Sequence, residues 1–73
     1  MEKTIYTKQH KHIVKQLIKA RKEAGLKQED VANRLGRPQS FISRVESGQY
    51  RISVVDLTTL AKIYKKKLDF FLE

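Results

Sequence analysis

The side chains of this 73-residue chain that carry usable chemistry are amides, hydroxyls and guanidiniums, gathered between Gln28 and Gly48. The stretch reads QEDVANRLGRPQSFISRVESG. Ser40, Ser43, Arg44 and Ser47 recur at i, i+3, i+4 and i+7, one face of a helix. Small hydroxyl side chains let a helix sit deep in the DNA major groove, which is about 12 Å wide. Arg44 has the geometry to pair bidentately with a guanine edge, and Phe41 is suited to a thymine methyl. Gln39 stands at the N-terminal end, the end that meets bases when a recognition helix enters the groove. The competing reading is an ordinary solvated face, with Phe41 packed on the preceding helix or on a partner subunit.

Chemistry that makes or breaks bonds has little to work with. The chain has no cysteine, which excludes thiolate chemistry and disulfides, and only two histidines, which excludes a zinc finger. His10 and His12 have no companions for a metal site and read as an exposed pair. No Ser-His-acid set, phosphate loop or paired carboxylates stand out. An enzyme is not expected, nor is a cofactor or a metal.

The elements that must position those residues follow from period and punctuation. Val14, Leu17, Ile18 and Arg21 define the inner face of a first helix from about Lys8 to Ala24, capped by Thr7 and closed by Gly25. Gln28–Leu35 forms a second helix with Val31, Ala32 and Leu35 inward, ended by Gly36. A third helix starts near Gln39 and runs to about Ser47, with Ile42, Val45 and Glu46 inward and Gly48 ending it. Ser53-Val54-Val55-Asp56 starts a fourth as a capping-box-like sequence. Its inner face is Leu57, Leu60, Ala61 and Tyr64. Lys65-Lys66-Lys67 breaks the pattern before a short last helix, Leu68 to Leu72. The expectation is an all-α, five-helix single domain over residues 1–73, with an N-terminal arm at 1–7. Steeply crossed short helices need a small residue where their backbones approach, glycine in the turn and branched apolar side chains to lock them. Ala32, Gly36, Ile42 and Val45 supply these, so residues 28–48 read as a helix-turn-helix.

Charge agrees with a polyanionic partner but does not select one. The net charge is +8 with 16 Lys or Arg against 8 Asp or Glu. Residues 1–22 hold seven basic and one acidic side chain, residues 23–61 five of each, and residues 62–73 four and two. DNA, RNA and an anionic membrane surface all attract such a chain. No apolar run approaches the roughly 18 residues of a membrane span, and the N-terminus lacks the apolar stretch of a signal peptide. The expected location is cytoplasmic, with no membrane partner. The lysines at 8, 11, 15 and 19 read as a solvated helix face.

From about Val14 to Leu72 the chain resembles the Cro/C1-type, or XRE, helix-turn-helix family of phage-repressor-like proteins. The matching residues are Arg21-Lys22-Glu23-Ala24-Gly25-Leu26, Gln28-Glu29-Asp30-Val31-Ala32, Leu35-Gly36, Ile42-Ser43-Arg44-Val45-Glu46-Ser47-Gly48, and Leu57, Leu60 and Ala61. The resemblance implies a compact five-helix lambda-repressor-like domain that binds DNA, regulates transcription and usually acts as a dimer on palindromic operators. It places Gln39, Ser40 and Arg44 at base-contacting positions, with Ser43 and Phe41 as further candidates beside them. Gln28 matches the position that meets phosphate and braces the recognition-helix glutamine. Tyr50 and Arg51 lie in the loop that runs beside phosphates, and Ser47 joins this backbone-contacting set. Lys27 replaces a capping Thr, Pro38 takes the cap site of the third helix, Arg37 replaces an apolar turn residue and Ile52 stands where Pro is common. Lys27 and Arg37 thereby add cations suited to phosphates.

Two charges on facing apolar stripes, Arg21 and Glu46, need one another, because an unpaired buried charge is costly. The family has an ion pair at the matching positions. Val55, Thr59 and Ile63 form a second stripe on the fourth helix, and with Phe70 they are the expected homodimer interface. The expected function is sequence-specific recognition of double-stranded DNA by a transcriptional regulator, most simply a repressor. A phage repressor, a restriction–modification controller and an antitoxin with a toxin partner all fit. The alternative is a protein–protein adaptor that reuses the fold without reading DNA.

Overall fold

The computed structural model describes residues 7–73. The expected arm falls outside the described residues except for Thr7. Five helices follow in order: α1 Lys8–Glu23, α2 Gln28–Leu35, α3 Gln39–Glu46, α4 Val54–Tyr64 and α5 Leu68–Leu72. Among the described residues there is no strand.

The helix ends are set by local chemistry. Thr7 Oγ1 accepts from the His10 N–H at 3.1 Å and caps α1. Lys27 has no side-chain acceptor to cap α2. Its own N–H instead donates to the Asp30 carboxylate at 2.9 Å, so half of a capping box survives. Gly36 ends α2 at φ 78°, ψ 31°, the left-handed conformation that glycine adopts without penalty. Pro38 enters α3 at φ −63° and offers no capping oxygen. Ser53 Oγ accepts from the Asp56 N–H at 3.0 Å and caps α4. The Asp56 carboxylate accepts from Arg37 across the turn. Lys65 ends α4 at φ 58°, the only non-glycine residue in the left-handed region among those described.

All five helices contribute to one core: Leu17, Ala20, Val31, Ala32, Ile42, Val45, Leu57, Leu60, Ala61, Tyr64 and Phe71. Burying an aliphatic or aromatic side chain of this kind contributes about 1.5–3 kcal/mol. α2 packs on α3 and α4, while α1 packs on α3, α4 and α5. α3 is therefore held from behind by two helices, and its other side is left open. Val14 and Ile18, expected on the inner stripe of α1, are only half-buried.

One expectation is corrected. The expected exposed pair is not exposed: His10 is buried and His12 half-buried. The His10 Nε2 lies 3.2 Å from the Gly48 carbonyl oxygen, 38 residues away, and the pairing satisfies a ring nitrogen that burial would otherwise strand.

Candidate nucleic-acid interface

The site is assembled around α3. Ile42 and Val45 are 1% and 2% exposed and fix the helix to the core. Ser40, Ser43, Arg44 and Ser47 all lie exposed on the other side, as the spacing implied. Ser47 turns its hydroxyl back to donate to the Arg44 carbonyl at 3.1 Å.

Behind this face runs a connected set of polar groups. Arg21 Nε donates to Glu46 Oε2 at 2.7 Å and Arg21 Nη2 to Glu46 Oε1 at 3.1 Å. Arg21 Nη1 donates to the Leu26 carbonyl at 2.9 Å. The two side chains are 14% and 6% exposed, so the pair sits largely out of water. Hydrogen bonding to Glu46 raises the Arg21 pKa beyond its ordinary high value, and burial opposes this. Tyr64 lies close enough to sense both charges. Burial is the main reason its phenol pKa is pushed up, with Glu46 adding and Arg21 opposing.

Glu46 also accepts from Gln28 Nε2 at 3.0 Å. Gln28 Oε1 in turn accepts from Gln39 Nε2 at 3.1 Å. The chain Arg21–Glu46–Gln28–Gln39 thus runs from the buried α1–α3 contact to an exposed amide at the first residue of α3. The inward charges pointed to the Arg21–Glu46 pair and the family resemblance implied the Gln28 brace, but neither signalled the bond from Glu46 to Gln28 that joins them.

The other sequence-chosen residues divide. Lys27 and Arg51 are exposed near α2 and in the loop after α3. Arg37 was expected to face phosphate, and the structure gives it an internal partner instead. Its Nη2 donates to both oxygens of buried Asp56, at 3.1 and 3.2 Å. Its guanidinium carbon lies 4.4 Å from the centre of the Phe41 ring. Phe41 also meets Tyr50 edge-on, with ring centres 5.0 Å apart. Phe41 and Tyr50 are half-buried, so part of each ring is committed to this cluster rather than to bases or phosphates. The signal for Asp56 was present as an acid three residues after the Ser53 cap, but that position has a sufficient local explanation in capping.

The expected dimer residues are also unlike one another. Val55 is 73% exposed, as is its neighbour Val54, which the stripe omitted. The Thr59 hydroxyl donates to the Val55 carbonyl at 3.1 Å. Ile63 and Phe70 pack partly against the core. Lys66 Nζ lies 4.7 Å from the Phe70 ring centre and 2.8 Å from Glu23.

A family model described as a helix-turn-helix matches residues 17–71, most of the chain. The chain belongs to the Cro/C1-type helix-turn-helix family. That family binds DNA and regulates transcription. Comparison with curated proteins returns no match. Among the described residues of this helix-turn-helix protein, no helix is long and apolar enough to cross a membrane. No group of three or more metal-ligating side chains is found among them either.

Proposed function

We propose that the protein is a sequence-specific repressor that docks α3 in the major groove of double-stranded DNA. The observation that carries this reading is the exposed row beginning with Gln39, whose amide is braced from the buried ion pair. A solvated surface helix needs no such brace. Gln39, Ser40, Ser43 and Arg44 take the base-contacting roles. Gln28, Lys27, Ser47, Tyr50 and Arg51 take the phosphate-contacting ones. Arg37 keeps a shared role, since 40% of its side chain remains exposed while Nη2 holds Asp56. Phe41 supports the loop and offers its remaining ring surface to a thymine methyl.

Two copies, joined through the exposed side of α4 at Val55 and the adjacent Thr59, Ile63 and Phe70, would present recognition helices about 34 Å apart on a palindromic operator. Occupying that operator excludes polymerase, with no enzymatic step and no cofactor, in the cytoplasm. Selection of bound sites from random duplex DNA tests the reading. Enrichment of a palindrome with half-sites about one helical turn apart supports it, and failure to enrich any sequence overturns it. A salt titration counts the phosphate contacts, because log K falls with log salt by about 0.9 per contact.

A further inference from the structure

We propose that Glu46, which sits on the inner side of α3 away from any base, is a specificity-positioning residue that fixes which way round the Gln39 amide faces DNA. The inference rests on the DNA-reading role proposed for Gln39 and adds a determinant to it. A carboxylate only accepts hydrogen bonds. Glu46 is held in place by two N–H groups of Arg21, so its Oε1 presents an acceptor to Gln28 at a fixed point. Gln28 must therefore turn its NH2 group inward and its carbonyl oxygen outward. That oxygen needs a donor, so Gln39 must turn its own NH2 group toward Gln28. One direction of donation runs through the whole chain, and reversing any link would set two acceptors or two donors against each other.

The consequence lies at the exposed end. With one N–H spent on Gln28, Gln39 offers DNA one remaining N–H beside one carbonyl acceptor. The major-groove edge of adenine presents an acceptor, N7, beside a donor, N6–H. The two sets are complementary. Guanine presents two acceptors, N7 and O6, and would face the Gln39 carbonyl with an oxygen lone pair. An unbraced glutamine can turn both N–H groups toward guanine, but a braced one cannot. Glu46 thereby selects adenine over guanine through two intervening side chains.

The test uses the selected duplex and the base pair whose preference disappears in Gln39→Ala. Affinities are compared for duplexes that differ only by A·T or G·C at that position. The wild-type protein should favour adenine by about tenfold or more, the scale of a good bidentate contact. Glu46→Gln replaces an obligate acceptor with an amide that can face either way, and should bring the preference to within about twofold. Gln28→Met cuts the chain but leaves the Arg21–Glu46 pair intact, and should do the same. Glu46→Gln added to Gln28→Met should change the preference no further. Melting curves check that each variant is folded.

Equal weakening of both duplexes by Glu46→Gln, with the preference intact, would make Glu46 a scaffold residue alone and overturn the proposal. So would a wild-type preference for guanine, or none that depends on Gln39. If Glu46→Gln does not fold, Gln28→Met decides: a retained preference overturns the relay and a lost one supports it. A wild-type protein that enriches no sequence would instead sink the DNA-reading role itself.

Discussion

The helix-turn-helix is held by two guanidinium–carboxylate pairs of different construction. Arg21–Glu46 is enclosed, and both carboxylate oxygens meet separate nitrogens of the guanidinium. The remaining Arg21 nitrogen is satisfied by the Leu26 carbonyl and the remaining Glu46 capacity by Gln28. Arg37–Asp56 uses a single nitrogen for both oxygens, and the arginine side chain is 40% exposed with its guanidinium against an aromatic ring. The first pair repays its desolvation by giving each guanidinium nitrogen and each carboxylate oxygen a hydrogen-bond partner, which favours the persistence of a buried pair. The second is already partly solvated and gains less from being made. Burial therefore separates a pair that fixes α3 from one that steadies the turn and retains free donors.

The contrast breaks most easily at the first pair. Arg21→Met leaves the Glu46 carboxylate enclosed without its cation and should cost about 3–5 kcal/mol in urea unfolding. A loss comparable to a surface pair would erase the distinction. Glu46→Gln should lower stability and DNA affinity together, whereas lost binding at unchanged stability would remove its scaffold role. Arg44→Ala sharpens the contrast from the opposite side. It should weaken a selected DNA site by about 1–3 kcal/mol while the melting temperature stays where it was. At the second pair, Asp56→Asn should cost only about 1 kcal/mol, since the partner is half in water and an acid is lost from the first turn of α4.

A pH experiment probes the buried pair's surroundings. Tyr64 holds its phenolic proton to higher pH in the folded protein than its ordinary value of 10.0. This stabilisation is complete below about pH 10 and is lost as pH rises beyond it, because the unfolded chain ionises first. Tyr64→Phe should flatten the alkaline fall in thermal stability, by a slope of at most about 1.4 kcal/mol per pH unit. The smallest effect belongs to the outermost pair. Lys66 donates to Glu23, whose pKa is lowered chiefly by that hydrogen bond. Glu23→Gln should leave the urea midpoint within experimental scatter, and a clear shift would show that exposure alone does not rank these pairs.

Sequence reasoning reached most of the helices because their boundaries are local. Gln28–Leu35 and the start of α3 at Gln39 follow from periodic apolar residues bounded by Gly36 and Pro38. The Arg21–Glu46 pair was legible because each charge occupies an inward position on its own helix, where only an opposite charge makes sense. Arg37–Asp56 was not, since each residue has a satisfactory local account: Arg37 as an exposed turn cation and Asp56 as a helix-start acid. Only the approach of α4 to the turn joins them. His10 was misplaced for the same reason. A histidine near a run of lysines gives no hint of a carbonyl 38 residues away. In the candidate interface, the exposed row on α3 was legible from spacing. The direction of donation behind it was not, because it depends on three helices meeting.

The His10 bond to Gly48 bears on how the molecule opens. The first turn of a helix ordinarily frays alone, with an opening free energy near zero. Here the Thr7 cap takes the His10 amide, and the His10 ring holds the carbonyl just past the end of α3. Loosening the start of α1 releases the far end of α3, and the two segments become one cooperative unit. Amide hydrogens in both should report matched opening free energies in hydrogen exchange, and His10→Phe should let the two segments open independently.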